Sequence, residues 1–347
     1  MTPITFFSPA DADSAARLAA SGAKFIAGGT NLVDLMKERI ELPTALADIN
    51  NLPFKDITET SGGGLMLGAL VKNADTAYHP LVGKNFPLLR AAILAGASPQ
   101  IRNMATNGGN LLQRTRCHYF YDTGTPCNKR EPGTTCSALM GLTRQHAILG
   151  ASSRCIATHP SDMCVALAAL DAIVHVQSPK GKRRIDFADF HRLPGDTPEI
   201  DTVLEPGDVI THIELPPGAR FAAHSAYVKV RDRASYAFAL VSAAAALDIG
   251  KDGVIKSARI ALGSVAHKPW KVREAEKALE GEKAGATAFN AAADIMLRGA
   301  MGHGDNDFKI PLAHRALIRA LEYATAGTVD NAHDAYDNPA IAPEESK

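Results

Sequence analysis

Four of the five cysteines in this 347-residue chain lie close together, and cysteine thiolates are strong ligands for metals. They are spaced C-x9-C-x8-C-x18-C, at Cys117, Cys127, Cys136 and Cys155. This spacing lacks the C-x2-C pairs of common zinc modules and ferredoxins, so it does not identify the metal. A metal is still favoured, because residues 113–155 show little periodicity and an irregular segment this long needs something to offset its ordering entropy.

Basic residues next to the cysteines favour an iron–sulfur cluster. They are Arg114, Arg116, Lys129 and Arg130. Four thiolates around an oxidised [4Fe–4S] core carry a net charge of about −2, which such cations would balance. A zinc ion with four thiolates has the same formal charge, so zinc stays an alternative, as do unligated or disulfide-bonded cysteines. The odd number of cysteines argues against a disulfide framework, and Cys164 fits a small buried apolar residue.

Two Gly-Gly turns form the second pattern suited to chemistry. The first lies in Phe25-Ile-Ala-Gly-Gly-Thr-Asn-Leu32, where a buried strand, a turn and a helix are expected. Glycine lets the backbone approach a ligand closely, and a helix start offers free N–H groups to an anion. The second turn is Thr106-Asn-Gly-Gly-Asn110, so the two could hold one diphosphate from both sides. Neither is a G-x-G-x-x-G fingerprint, and the simpler alternative is that Gly28-Gly29 only turns a strand into a helix.

Short helices and strands are expected around these motifs. Before the cysteines, helices are predicted at 12–21, 31–37 and 86–96, and strands at 23–27, 45–48 and 65–70. After them come a helix at 162–170 and strands at 172–177 and 209–215, and Pro216-Pro-Gly218 is typical of a domain boundary. The remainder predicts strands at 226–230, 238–249 and 256–262, then helices near 271–282, 287–298 and 310–327.

Composition excludes several classes of protein. Hydrophobic residues make up 46% of the chain, which is enough to form the cores of the two or three folding units expected for 347 residues. Lys+Arg and Asp+Glu are equal at 37 each, so no overall charge favours nucleic acid or an anionic membrane. No apolar run reaches the length of a membrane span, and the N-terminus shows no signal peptide. Export is therefore expected only if a partner carries the chain.

At these motifs the sequence resembles a known family. The segments are FIAGGTNLVDLMK, ASPQIRNMATNGGNLLQRTRC, ATHPSDMCVALAALDA and KVRDRASYAFALV, in that order. They resemble the FAD-binding medium subunit of the molybdenum hydroxylases, which include xanthine dehydrogenases, carbon monoxide dehydrogenase and aldehyde oxidoreductases. The resemblance covers about residues 1–325. The cysteine-bearing insertion is similar to that of the periplasmic aldehyde oxidoreductases, whose flavin subunit also carries a [4Fe–4S] cluster.

The resemblance implies an α+β fold in two domains. Residues 1–217 would form a PCMH-type FAD-binding domain with subdomains at about 1–55 and 56–217, and with the iron–sulfur insertion at 113–155. Residues 218–327 would form a C-terminal domain of a small antiparallel sheet plus helices. Residues 328–347, rich in Asp, Asn, Pro and Glu, would be a flexible tail.

The resemblance also implies the cofactor contacts. The FAD pyrophosphate would lie against Lys24, Phe25, Ile26, Ala27, Gly28, Gly29, Thr30, Asn31 and Leu32, with Thr106, Gly109 and Asn110 as the second wall. Asp162 would bind ribityl or adenosine hydroxyls, and Lys229 would lie near the isoalloxazine, with Tyr236 stacked near the ring or gating access to it. Taken alone, Asp162 also fits a helix N-cap and Lys229 a solvated lysine. The [4Fe–4S] ligands would be Cys117, Cys127, Cys136 and Cys155.

The function implied is electron transfer within a heterotrimer. A small subunit with two [2Fe–2S] clusters and a large subunit with a molybdenum cofactor would be the partners, and an external acceptor would take the electrons. No catalytic residue is expected in this chain, because the flavin performs the chemistry and His118, His146 and His159 fit polar contacts. Co-export to the periplasm is expected, with the cytoplasm as the alternative. Rival functions are a stand-alone FAD oxidase and a zinc-stapled scaffold.

Overall fold

The first unit is a three-stranded parallel sheet with strand order β1-β3-β2. The computed structural model describes residues 3–328. The elements are β1 Thr5–Phe7, α1 Ala12–Ala20, β2 Lys24–Ile26, α2 Leu32–Lys37 and β3 Ala45–Asp48. Helix α1 begins at a capping box in which the Ser14 amide donates to the Asp11 carboxylate at 2.7 Å. The predicted helices and strands around the first Gly-Gly turn are thereby confirmed.

The second unit is a five-stranded antiparallel sheet with strand order β4-β5-β8-β6-β7. Its strands are β4 Ile57–Glu59, β5 Leu65–Gly68, β6 Ile173–Ser178, β7 Gly181–Asp186 and β8 Val209–Leu215. The helices along this part of the chain are α3 Asn73–Tyr78, α4 Pro80–Asn85, α5 Pro87–Ala95, α6 Pro99–Arg102, α7 Asn107–Leu111, α8 His118–Tyr121, α9 Asp162–Ala169 and α10 Phe187–Phe190. Helix α9 is buried along its whole length, as expected for a helix that is apolar on every side.

The segment 113–155 is largely irregular, as predicted. Its regular structure consists of α8 and a single 3-10 turn at Ser137–Met140. The end of the segment is anchored to the C-terminal part of the chain, since the amides of Ile148 and Leu149 both donate to the Val265 carbonyl, at 2.9 and 3.0 Å. This end of the insertion therefore packs into the protein body.

The C-terminal unit is a three-stranded antiparallel sheet backed by helices, with strand order β11-β10-β9. It comprises β9 Ser225–Val230, β10 Val241–Ile249, β11 Ile255–Gly263, α11 Arg273–Lys277, α12 Ala286–Met296 and α13 Lys309–Ala326. Strand β10 begins at residue 241 instead of 238, and the helix expected over 271–282 is only α11. The observed arrangement confirms the α+β fold.

Lys309 in α13 ties this unit to the insertion, and Thr328 closes the end of the unit onto β9. Lys309 is fully buried, and its ammonium donates to the carbonyls of His146 at 2.8 Å and Ser264 at 2.6 Å. Thr328, the first residue of the predicted tail, accepts from the Ser225 amide at 2.7 Å. The rest of that tail lies outside the described residues. No helix in residues 3–328 combines the length and apolarity needed to cross a bilayer.

Candidate functional site

The first Gly-Gly turn presents unpartnered backbone donors between β2 and α2. In the described part of the chain, the N–H groups of residues 28–32 donate no hydrogen bond. Gly29 has φ +70°, a left-handed conformation that favours glycine. The Asn31 side chain accepts from the Arg114 amide at 3.0 Å, while its buried Nδ2 has no partner. Clustered free N–H groups at a helix start attract an anion such as a diphosphate.

The two Gly-Gly turns lie against each other. A Cβ atom built on Gly28 would be 1.9 Å from the Met104 carbonyl oxygen and 3.3 Å from the Ala105 Cα. Only glycine allows the two backbones to come this close. The segment of Met104 and Ala105 leads directly into Thr106, so the structure brings the two predicted walls together.

The second turn differs from the first in its backbone groups. The amides of residues 107–110 are all used within the protein: the Asn107, Gly108 and Asn110 amides donate to backbone carbonyls, and the Gly109 amide donates to the Thr106 hydroxyl at 3.2 Å. The expected clamp of two similar turns is therefore asymmetric. The first turn offers a run of free amides, whereas the second offers mainly side chains.

A network of buried amide side chains supports the second turn. Asn110 donates to Asn73 at 2.7 Å, and Asn73 donates in turn to Asn107 at 3.1 Å. The Ser161 hydroxyl donates to Asn110 at 2.5 Å. This last bond joins the Thr106–Asn110 motif to the turn that precedes Asp162. Sequence reasoning did not identify Asn73, which has no local motif.

Asp162 is held by the C-terminal sheet. Its carboxylate accepts from the Tyr227 hydroxyl and from the Lys229 ammonium, each at 2.8 Å. Lys229 also donates to the Ala95 carbonyl at 2.9 Å. The Lys229 and Asp162 side chains are only 5% and 8% exposed, so the lysine is a buried ion-pair partner and not a solvated cation. Their contacts with FAD remain predictions.

Tyr236 lies on an exposed loop between β9 and β10. The residue is 58% exposed and has φ +50°, unusual for a side chain with a Cβ atom. Arg233 donates to the Tyr236 carbonyl and its guanidinium lies 5.8 Å from the ring centroid. The ring is thus accessible from solvent, and its predicted position beside the flavin remains untested.

The four cysteines of the insertion lie near one another as free thiols. Cys127 and Cys136 pair across an antiparallel bridge, and the Cys117 sulfur is 3.1 Å from His146 Nε2. A hydrogen bond from Cys155 lowers the pKa of Cys136 to about 6. Burial raises the pKa of Cys117 to about 11, and Cys127 and Cys136 add to that rise. Among residues 3–328, no three of these sulfurs all lie within 4.8 Å of one another.

The basic residues beside the cysteines have carboxylate or carbonyl partners of their own, and the charge of Lys129 also acts on Cys155. Arg116 pairs with Asp34 at 2.9 Å, and Arg130 donates to backbone carbonyls. Arg114 pairs with Glu41 at 3.0 Å and Asp201 at 2.9 Å, and Lys129 also pairs with Asp201. Sequence proximity did not reveal these carboxylates, because Asp34, Glu41 and Asp201 are distant along the chain.

Replacing Asp201 by Asn is expected to destabilise the protein by about 2–4 kcal/mol, because the almost fully buried Lys129 ammonium would lose its carboxylate. This loss is smaller than the one expected for a fully buried ion pair, because about a third of the Asp201 side chain is exposed to solvent. Urea unfolding of both proteins measures the difference. Asp196→Asn, an exposed position on the same loop, should leave stability within about 0.5 kcal/mol of wild type.

The same pair predicts a pH dependence. Burial would raise the pKa of Asp201, but Lys129 and Arg114 outweigh it and lower the pKa to about 2. Since the folded-state pKa lies below the unfolded value of about 3.9, this stabilisation is present above pH 4 and is lost as the pH falls towards 2. The gap in unfolding free energy between wild type and Asp201→Asn should therefore narrow across that window. A constant gap would contradict the assignment.

Comparison with known proteins yields consistent matches along the chain. Residues 2–218 match the FAD binding domain in molybdopterin dehydrogenase, and residues 225–324 match the CO dehydrogenase flavoprotein C-terminal domain. The aldehyde oxidoreductase FAD-binding subunit PaoB of Escherichia coli (strain K12) is 53% identical over 306 residues, covering 88% of this chain and 92% of that protein.

More distant proteins share the same architecture. The glyceraldehyde dehydrogenase medium chain of Sulfolobus acidocaldarius is 29% identical, covering 74% of this chain and 73% of that protein. The solved carbon monoxide dehydrogenase from Hydrogenophaga pseudoflava has a matching chain at 26% identity with a TM-score of 0.72, covering 93% of this chain and 98% of that chain.

Proposed function

The chain belongs to the FAD-binding medium subunits of the molybdenum hydroxylase family, and from this membership we propose that it serves a molybdenum-dependent aldehyde oxidoreductase. The family is one of oxidoreductases, and FAD binding is the function of the domain that residues 2–218 match. The assignment to aldehydes is supported by the 53% identity with the Escherichia coli subunit. The partners proposed are a small subunit with two [2Fe–2S] clusters and a large subunit with the molybdenum cofactor.

The site residues fit FAD in a specific way. The free amides of residues 28–32 would bind the diphosphate, and Gly28 allows the second turn to close against them. Asn31, with its unpartnered buried Nδ2, would add a side-chain donor. When bound, FAD supplies the redox chemistry, taking electrons from partner clusters and delivering them to an external acceptor. The role of this chain is to bind and orient the cofactor.

Asp162 and Lys229 would form the opposite side of the FAD site. Because Tyr227 and Lys229 fix both carboxylate oxygens, Asp162 keeps one orientation and can still accept further hydrogen bonds through its remaining lone pairs. The connection through Ser161 and Asn110 would hold this side at a fixed distance from the second Gly-Gly turn. Ligand orientation would thus depend on both domains of the chain.

We also propose a [4Fe–4S] cluster held by Cys117, Cys127, Cys136 and Cys155. The grouping of the thiols supports a shared metal site, since Cys127 and Cys136 pair across an antiparallel bridge and Cys136 is hydrogen-bonded to Cys155. Four thiolates could hold zinc or a four-iron core. The resemblance of the insertion to that of the periplasmic aldehyde oxidoreductases favours the cluster. The cluster would supply a one-electron centre and would cross-link the irregular segment. Lys129, whose positive charge acts on Cys155, would help to balance the charge of the cluster.

The visible spectrum of the anaerobically purified protein tests both cofactors. Flavin bands above a broad iron–sulfur absorbance are expected, and aldehyde should reduce the flavin only when the two partner subunits are present. Flavin bands without the broad absorbance would exclude the cluster but not FAD. Aldehyde-driven reduction of the isolated chain would instead indicate a stand-alone oxidase. Zinc with neither flavin nor iron would indicate a scaffold.

Cys127→Ser is expected to lose the cluster and to loosen residues 113–155, because a structural metal site contributes folding free energy. Iron content and limited proteolysis of the insertion measure the two effects. The matched control is Cys164→Ser, which removes a cysteine from α9, outside the insertion, and should keep its iron. Full iron content in Cys127→Ser would contradict the ligand assignment.

The proposed function includes a cellular compartment for the assembled enzyme. We propose that the assembled enzyme is exported to the periplasm together with a partner that bears the signal, as the resemblance implies. Fractionation of cells expressing all three subunits would test this, with deletion of the partner's signal as the control. Flavoprotein found in the cytoplasm regardless of that signal would contradict it.

A further inference from the structure

Three side chains with metal-binding atoms meet in the interior, outside the cysteine-bearing insertion. They are His159, Cys164 and His191, and one ligand atom from each lies within 4.8 Å of the other two. The residues are 8%, 0% and 3% exposed. No other group of three such residues in the described part of the chain is this compact. The proposed FAD and iron–sulfur sites use none of these side chains.

Both histidines have ring nitrogens without a partner. His191 Nε2 lies 2.8 Å from the Leu111 carbonyl oxygen, so it is the protonated nitrogen and Nδ1 carries the free lone pair. His191 Nδ1 contacts no donor or acceptor. His159 Nδ1 has only a long 3.4 Å contact with the Ser161 amide, and its Nε2 has no partner. Leaving a buried polar atom unpaired is unfavourable, so a missing ligand is indicated.

The donor set favours a cation bound by neutral rings. His191 Nδ1 and His159 Nε2 are buried without a hydrogen-bond partner, so no acceptor would stabilise a second proton on either ring. Charges of both signs act on the rings: Asp201 on both, Lys129 on His159 and Lys268 on His191. The aromatic rings of Phe187 and Phe190 flank His191 at centroid distances of 5.5 and 4.8 Å. Direct carboxylate ligands, which calcium and magnesium require, are absent from the group.

We propose that His159, Cys164 and His191 bind a thiophilic d10 ion, Zn²⁺ or Cu⁺. Two imidazoles and one thiolate are the donor set these ions prefer. Metal–ligand bonds of about 2.0–2.3 Å place the ligand atoms roughly 3.3–3.8 Å from one another. The three ligand atoms already lie within 4.8 Å of one another, so a small inward movement of the side chains would reach this spacing. Binding breaks the Cys164 S–H bond and forms a sulfur–metal bond, and the proton is released to solvent. The Leu111 carbonyl fixes the His191 tautomer, as such carbonyls do around metal sites.

The position of this ion suggests its effect. His159 begins the turn His159-Pro160-Ser161-Asp162, and Cys164 lies in the first turn of α9. An ion joining the two would fix the turn that carries Ser161 and Asp162, both proposed to shape the FAD site. The ion would therefore be structural, and its loss would loosen FAD binding without any contact to the flavin.

Metal analysis of the intact protein, produced in medium supplemented with zinc and with copper in separate cultures, tests the proposal. We expect one zinc or copper ion per chain, lost in Cys164→Ala and in His191→Gln. Cys136→Ser is the matched control, because it removes an insertion cysteine and should keep the zinc or copper even if iron is lost. Circular dichroism establishes whether each variant is folded.

Anomalous scattering from wild-type crystals at the zinc and copper edges gives a readout that needs no variant. A peak between the three side chains at one edge identifies the ion. A water molecule there, with no zinc or copper in protein from either culture, would overturn the proposal. So would full retention of the ion in a folded Cys164→Ala variant. Neither result bears on whether the chain binds FAD, which the flavin absorbance reports separately.

Discussion

Gly28→Ala is expected to deprive the protein of most of its FAD. The new methyl group would lie 1.9 Å from the Met104 carbonyl oxygen, so one of the two backbones must move by more than an ångström. Overpacking of this kind costs about 1–3 kcal/mol, which corresponds to roughly 5- to 150-fold weaker binding if the whole cost falls on the FAD-bound state. Flavin content after purification and titration of the apoprotein with FAD measure the effect.

A second glycine provides the matched control. A Cβ atom on Gly62 would approach nothing closer than Pro217 at 3.8 Å, so Gly62→Ala should bind FAD as wild type does. Comparison of unfolding free energies then separates a local change at the FAD site from general loss of stability. Wild-type FAD affinity in Gly28→Ala would show that the two turns need not touch for the cofactor to bind.

Lys229→Met is expected to destabilise the protein by about 3–5 kcal/mol. Both members of the pair with Asp162 are more than nine-tenths buried, and removal of the lysine leaves a buried carboxylate with only Tyr227 as a donor. The pair also joins α9 of the FAD-binding domain to β9 of the C-terminal sheet, so its loss weakens the contact between domains. Urea unfolding of the apoprotein measures this without interference from FAD.

Two further variants make this prediction specific. Lys256→Met alters an exposed lysine on β11 and should change stability by less than about 0.5 kcal/mol. The double variant Asp162→Asn with Lys229→Met removes both charges and should be clearly more stable than the sum of the single changes predicts. Simple additivity of the two changes would mean that the residues do not form a functional pair.

The sequence was most informative where function depends on local chain geometry. The Gly-Gly turn of residues 28 and 29 needs only a strand, a conformation reserved for glycine and a helix start, and all three are encoded within a few residues. The buried character of α9 and of Cys164 follows in the same way from a continuous apolar run. These features are local, so one stretch of sequence is enough to predict them.

Partners across long distances could not be predicted from sequence patterns. Tyr227 has the appearance of an ordinary strand residue, and only the folded chain shows that its hydroxyl binds Asp162. The same holds for Asp201, which comes from a distant loop to pair with Lys129. Lys129 was expected to balance an iron–sulfur cluster because it neighbours Cys127 in sequence. The tertiary fold also gives Lys129 a carboxylate partner, Asp201, which proximity along the sequence did not reveal.

The anchoring of the insertion to α13 has a consequence for biosynthesis. Lys309 donates to the His146 carbonyl across 163 residues of sequence, so that bond cannot form while the C-terminal helix is still in the ribosome. At a translation rate of about 5–20 residues per second, the insertion must wait roughly 10–30 s for its last attachment. During that interval the insertion lacks this attachment to the body of the protein. A cofactor added before synthesis of the chain is complete would therefore not have to break this bond.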